Sequence, residues 1–193
     1  MTAGSGIIHQ EMPQGDDAGH MWGFQLWANL PADEKMRDPR YRGLTDADIP
    51  VVKTASGASV HVIAGTVEGV CGPVDDIVID PEYLDVTVLP GAMFTHPIAS
   101  EHTAFAYCID GVGEFAPEAM LANRQVVLYS AGDHVSVTAG AGGVRFLLVS
   151  GRPLGEPIAW RGPIVMNTAE ELREAYRELE AGTFVRVGSH PAD

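Results

Sequence analysis

Residues 83–89, Tyr-Leu-Asp-Val-Thr-Val-Leu, mix alternating apolar and polar side chains and stop at Pro90-Gly91. A short apolar-rich run of this kind, closed by a turn dipeptide, predicts a β-strand. Outward from it the pattern recurs at 59–64, 77–79, 104–109, 125–129, 134–137 and 144–149, with turn signals such as Asp110-Gly111 and Ala131-Gly132-Asp133 between the runs. Short strands at this spacing predict an all-β sandwich or small barrel. Composition agrees, because 22 Gly, 13 Pro and only 20% charged residues favour strands and turns over a helical bundle. With 193 residues and 46% hydrophobic content, the chain can bury a real core, as one generous domain or one domain plus part of another.

Upstream of these runs, the aromatic and apolar stretch 22–30 (WGFQLWANL) ends at Pro31 and predicts a largely buried strand. Residues 31–50 carry Pro, Asp, Arg and Gly with weak periodicity, so a linker or wrapping segment is expected there. Within it Lys35, Arg37, Arg40 and Arg42 stand among Asp33, Glu34 and Asp38, the pattern of a solvated loop. One helix is expected, at the C-terminal end: Thr168 and Glu171 have capping-box spacing, Leu172, Ala175, Tyr176 and Leu179 share a face, and Gly182 is placed to stop it. Its expected role is packing, including cover for an open sheet edge.

The formal charge of −14 excludes a surface that attracts a phosphate backbone, so no direct nucleic-acid partner is expected. Cys71 and Cys108 lie far apart without CxxC spacing and are expected to be buried thiols. No membrane partner is expected either, because no stretch reaches the roughly 18 apolar residues a span requires. With no leader pattern at the start, the expected location is cytoplasmic. Serine hydrolase, nucleotidase and dinucleotide oxidoreductase chemistry lack their GxSxG, P-loop and GxGxxG patterns.

An internal repeat sets the organisation. Thr2-Ala3-Gly4-Ser5-Gly6-Ile7-Ile8-His9 matches Thr138-Ala139-Gly140-Ala141-Gly142-Gly143-Val144-Arg145, with Met1 and Val137 before each copy. The second copy follows a full set of strands and the first follows nothing. If the two units were built alike, the first is expected to lack on the order of 80 residues. The Gly140–Gly143 run is expected to be a turn.

Gly6-Ile7-Ile8-His9-Gln10-Glu11-Met12-Pro13, the run 23–31, Pro39-Arg40-Tyr41, the run 151–157 and the run 162–168 together resemble the pirin family over almost the whole chain. The resemblance implies a bicupin. Its complete C-terminal cupin, with the terminal helix, would be residues 51–193, and residues 1–50 would be a remnant of the N-terminal cupin plus linker. It also implies two kinds of activity, quercetin 2,3-dioxygenase chemistry and a redox-sensitive role as a transcriptional cofactor.

In the family, iron or another divalent metal sits in the first barrel, and His9 and Glu11 fall on positions that supply its third and fourth ligands. Their i, i+2 spacing would put both on one face of a strand. The family's first two ligands come from an HxH pair, and none occurs in this chain. Any metal is therefore expected to be weakly held or absent, because affinity depends on ligand count. His20 could contribute but lies in a polar turn. In the second unit the positions equivalent to His9 and Glu11 are Arg145 and Leu147, so that barrel is expected to hold no metal. His61, His96, His102 and His134 read as structural or surface residues, and no catalytic side chain is assigned.

Three functions stay open: a metal-dependent oxygenase acting on a flavonol-like molecule if the site is completed, a binding or regulatory protein with a protein partner, and a truncated inactive homologue. A homodimer is expected through strand edges around 7–12 and 22–30.

Overall fold

The computed structural model describes residues 1–10, 12 and 15–186, and Glu11 lies outside them. The chain divides into two compact units, Leu44–Pro153 and a second made of Met1–Gly43 with the stretch from Leu154 onward.

The first of these is all β. Its strands are β1 (Val51–Lys53), β2 (Ala58–Ala64), β3 (Thr66–Val67), β4 (Val70–Cys71), β5 (Glu82–Val88), β6 (Met93–Pro97), β7 (Thr103–Ala116), β8 (Ala119–Ala122), β9 (Val126–Leu128) and β10 (His134–Gly151). The main sheet runs β1-β2-β5-β10-β7-β8, with β6 also paired to β10 and β9 to β7; β3 and β4 form a small hairpin. All pairings between named strands in it are antiparallel. Alternation does the sorting, since successive side chains on a strand point to opposite faces. Val60, Val86, Phe146 and Cys108 occupy one cross-strand row, and Val62, Leu84, Leu148 and Ala106 the next. All eight are fully buried. Phe146 also meets Phe94 and Phe115 edge-on at centroid distances of 6.0 and 5.0 Å. Each Val, Leu or Phe among them contributes about 1.5–3 kcal/mol of burial.

Three turn or strand expectations are corrected inside this sheet. Residues 77–79 form a turn closed by the Asp80 N–H to the Ile77 carbonyl at 2.9 Å. Asp110-Gly111 does not end a strand, because β7 runs through it to Ala116. Likewise Gly140–Gly143 sits inside β10, where the pairing with β7 slips between Ala139 and Val144. Glycine permits this crossing: Gly111 has φ +75°, and a Cβ there would stand 2.2 Å from the Gly143 carbonyl oxygen.

The other unit contains β11 (Ala159–Arg161), β12 (Ile164–Met166) and α1 (Ala169–Ala181). α1 starts as its sequence dictates: the Thr168 side chain accepts from the Glu171 N–H, Glu171 reaches back to Thr168, and Gly182 closes the end at φ 72°. Of the predicted apolar face only Ala175 is buried. Tyr176 ties the helix to the β11–β12 hairpin, donating its hydroxyl to the Arg161 carbonyl at 2.8 Å.

The stretch 22–30 forms no strand, contrary to expectation, and Trp22 and Trp27 are 66% and 57% exposed. A strand requires a neighbouring strand for its backbone groups, and among the described residues no strand runs alongside this stretch. Residues 7–10 are likewise outside any strand, and Glu11 of the same expected edge lies outside the described residues. The solvated-loop reading of Lys35 is also corrected, since Lys35 is 5% exposed. Cys108 is buried as expected, whereas Cys71 is exposed. No described helix is long and apolar enough to cross a membrane.

Candidate functional site

Residues 1–10 are held by backbone contacts to 37–40. Thr2 and Arg40 exchange N–H···O bonds of 2.7 and 2.9 Å, and the Ser5 N–H reaches the Arg37 carbonyl at 2.8 Å. Gly4, with φ +52°, lets the chain approach so closely that a Cβ would lie 2.2 Å from that carbonyl oxygen. This anchoring presents His9, which is exposed, with its ring centroid 6.3 Å from that of Tyr41. His9 is therefore on an irregular segment rather than on a strand face, and Glu11 lies outside the described residues.

His20 does not join His9. It sits in a turn organised by Asp16, whose carboxylate accepts the Ala18 and His20 N–H groups at 2.9 and 2.8 Å. Among the described residues no group of three or more His, Cys, Asp or Glu side chains could hold a metal ion. With Glu11 outside the described residues, the described donors around His9 are fewer than the two His and a carboxylate that a first-row metal centre usually takes.

The same unit contains a polar cluster around the buried Lys35 that the sequence reading missed. Lys35 Nζ donates to Asn29 Oδ1 at 2.6 Å. Glu156 Oε2 accepts from the Ala32 N–H at 2.9 Å and from Asn167 Nδ2 at 2.8 Å. Burial pushes the Lys35 ammonium below its ordinary range, against the opposing pull of Glu156 and Glu171. Asn29, Glu156 and Asn167 belong to the runs that carry the family resemblance, so part of that signature is the wiring of this cluster.

In the all-β unit, His96 is buried and structural, one of the two readings expected for it, and it shares a network with His102. Glu82 joins them: its Oε1 lies 2.9 Å from His96 Nε2, its Oε2 accepts from Ser150 Oγ at 2.9 Å, and Ser150 Oγ lies 3.3 Å from His102 Nδ1. His96 stacks on Phe94 with an interplanar angle of 8°. Pairing register places Glu82 opposite Ser150 and Ser150 opposite Ala104, which explains the convergence and could not be read from single-strand spacing. Tyr129 hangs beside this row through its N–H to the Ala104 carbonyl. Its buried hydroxyl has no hydrogen-bond partner among the described residues, and burial raises its pKa. Arg145, the counterpart of His9, forks onto Asp85 at 2.9 and 2.6 Å. His134 is exposed and paired with Asp133 at 2.6 Å.

Residues 83–185 match the Pirin C-terminal cupin domain. A Pirin-like protein of Caulobacter vibrioides is 40% identical over 95% of this chain and 66% of its own length. A Thermoplasma acidophilum protein, provisionally named quercetin 2,3-dioxygenase, is 34% identical over 96% of this chain and 77% of its own. Among solved structures, a quercetin 2,3-dioxygenase from Acinetobacter baumannii superposes with a TM-score of 0.76 at 29% identity, covering 82% of this chain and 55% of that one. The chain thus spans about two thirds of the Caulobacter relative and little more than half of the solved dioxygenase chain.

Proposed function

Because the chain belongs to the pirin family, we propose that it is a pirin-type bicupin protein. In this reading residues 1–50 belong to the first cupin and residues 51–193 to the second. His9 and Glu11 are two ligands of a quercetin 2,3-dioxygenase-like site for iron or another divalent metal, and its small-molecule partner is flavonol-like. The observation that carries the metal clause is His9 itself, exposed and presented by the Thr2–Arg40 and Ser5–Arg37 backbone contacts. The metal is held weakly or not at all, since the sequence carries no HxH pair to add to these two ligands. We place the protein in the cytoplasm.

A second reading, a non-enzymatic binding or regulatory protein with a protein partner, draws on a different observation. Met21, Trp22 and Trp27 are 64%, 66% and 57% exposed, an apolar stretch of the kind that marks interaction sites.

Elemental analysis of the purified chain and of His9→Ala separates the two. Substoichiometric metal, lowered further by His9→Ala, is the expected result. Equimolar metal unchanged by the substitution would remove His9 from the site, and absence of metal after loading with ferrous ion would leave the regulatory reading.

A further inference from the structure

The all-β unit ends its sheet on an edge unlike the opposite one at β1. β8 and β9 run in turn along β7: Ala119–Ala122 pairs with 112–116, and Val126–Leu128 with 105–107. Between them the chain steps outward at Arg124, φ +69°, whose N–H still bonds the Cys108 carbonyl at 2.9 Å. Residues 119–130 therefore act as one bulged edge strand.

The open side of that strand is defined by its bonds. Cys108 N–H reaches the Gln125 carbonyl and Tyr129 N–H reaches the Ala104 carbonyl, at 2.8 and 3.0 Å. Residues 125 and 129 thus face β7, and alternation turns the N–H and C=O groups of Val126 and Leu128 away from it. The side chains of the same two residues are 61% and 69% exposed, and Met120 and Val112 extend the apolar surface at 57% and 43%.

Edges are normally protected by charge or proline. The opposite edge, β1, carries Lys53, whereas residues 119–130 contain neither an acidic residue nor proline and one cation, Arg124. In a chain of charge −14, two copies repel each other over most of their surfaces. They meet least repulsion on such an acid-free strip.

We propose that this edge is the contact between two copies of the chain, paired antiparallel about a two-fold axis at Val127. Val126 of one copy then faces Leu128 of the other and the reverse, which completes about four N–H···O=C bonds and continues the sheet across the dimer.

Sedimentation and light scattering across a concentration series test this. The wild-type chain is expected at twice its 20.5 kDa mass, and the double variant Val126→Lys/Leu128→Lys at 20.5 kDa with an unchanged melting temperature. Should that variant fail to fold, Val126→Thr/Leu128→Thr retains strand-forming side chains and is expected to weaken association at least tenfold. A wild-type monomer at every concentration overturns the proposal. So does a dimer that survives both edge variants, or one lost on Trp22→Ser/Trp27→Ser instead, which would place the contact at the N-terminal segment.

Discussion

Glu82 is the residue on which the barrel's polar end depends, because one carboxylate serves both His96 and Ser150. Replacing it with Ala removes two charge-assisted bonds and leaves His96, 4% exposed, with its Nε2 unpartnered. The expected cost is about 3 kcal/mol in urea unfolding. His102→Ala, which removes the longer 3.3 Å contact, should cost clearly less; equal losses would mean that the cluster does not centre on Glu82. At the same scale, the sequence signalled His9 and Glu11 by their match to family positions. It gave no signal for Glu82 or Ser150, because a Glu opening a strand and a Ser near the end of another become neighbours only through the β5–β10 register.

Among the elements, α1 was legible because its instructions are local. Thr168, Glu171 and Gly182 lie within one helix and its caps, and the structure uses each in the predicted way. Thr168→Ala should destabilise the helix by about 1 kcal/mol, read by circular dichroism. The Glu171 carboxylate is held below its ordinary value, first by the Thr168 hydroxyl and then by the backbone N–H groups. A depressed carboxylate stabilises above its unfolded pKa, and that contribution disappears as pH falls through the folded one. The helix signal should accordingly weaken below about pH 4.5 in the wild type, and Glu171→Gln should show little of this change. Undiminished acid weakening in Glu171→Gln would assign it to another group. The stretch 22–30 shows the opposite case: its composition is that of a strand, but a strand exists only with a partner, and composition does not supply one.

For the whole molecule, charge is the controlling quantity. A net −14 and pI near 4.7 keep copies apart at neutral pH, so association through the acid-free β8–β9 edge should strengthen as salt shortens the screening length. Light scattering between low salt and about 0.5 M salt should show the dimer fraction rise; a fall would indicate a contact made by opposite charges.

The sequence by itself determined the all-β class, the positions of β2, β5 and β9, the capped helix and membership of the pirin family. These rest on periodicity, local capping and motif residues, all of which act within short spans of chain. Tertiary structure decided that Gly111 and Gly140–Gly143 are crossings inside long strands, that Lys35 is buried against Asn29, and that His96, Glu82, Ser150 and His102 form one network. Each of those facts depends on which strand or segment lies alongside which, and that pairing is fixed by the burial of the whole core rather than by any residue's neighbours in sequence.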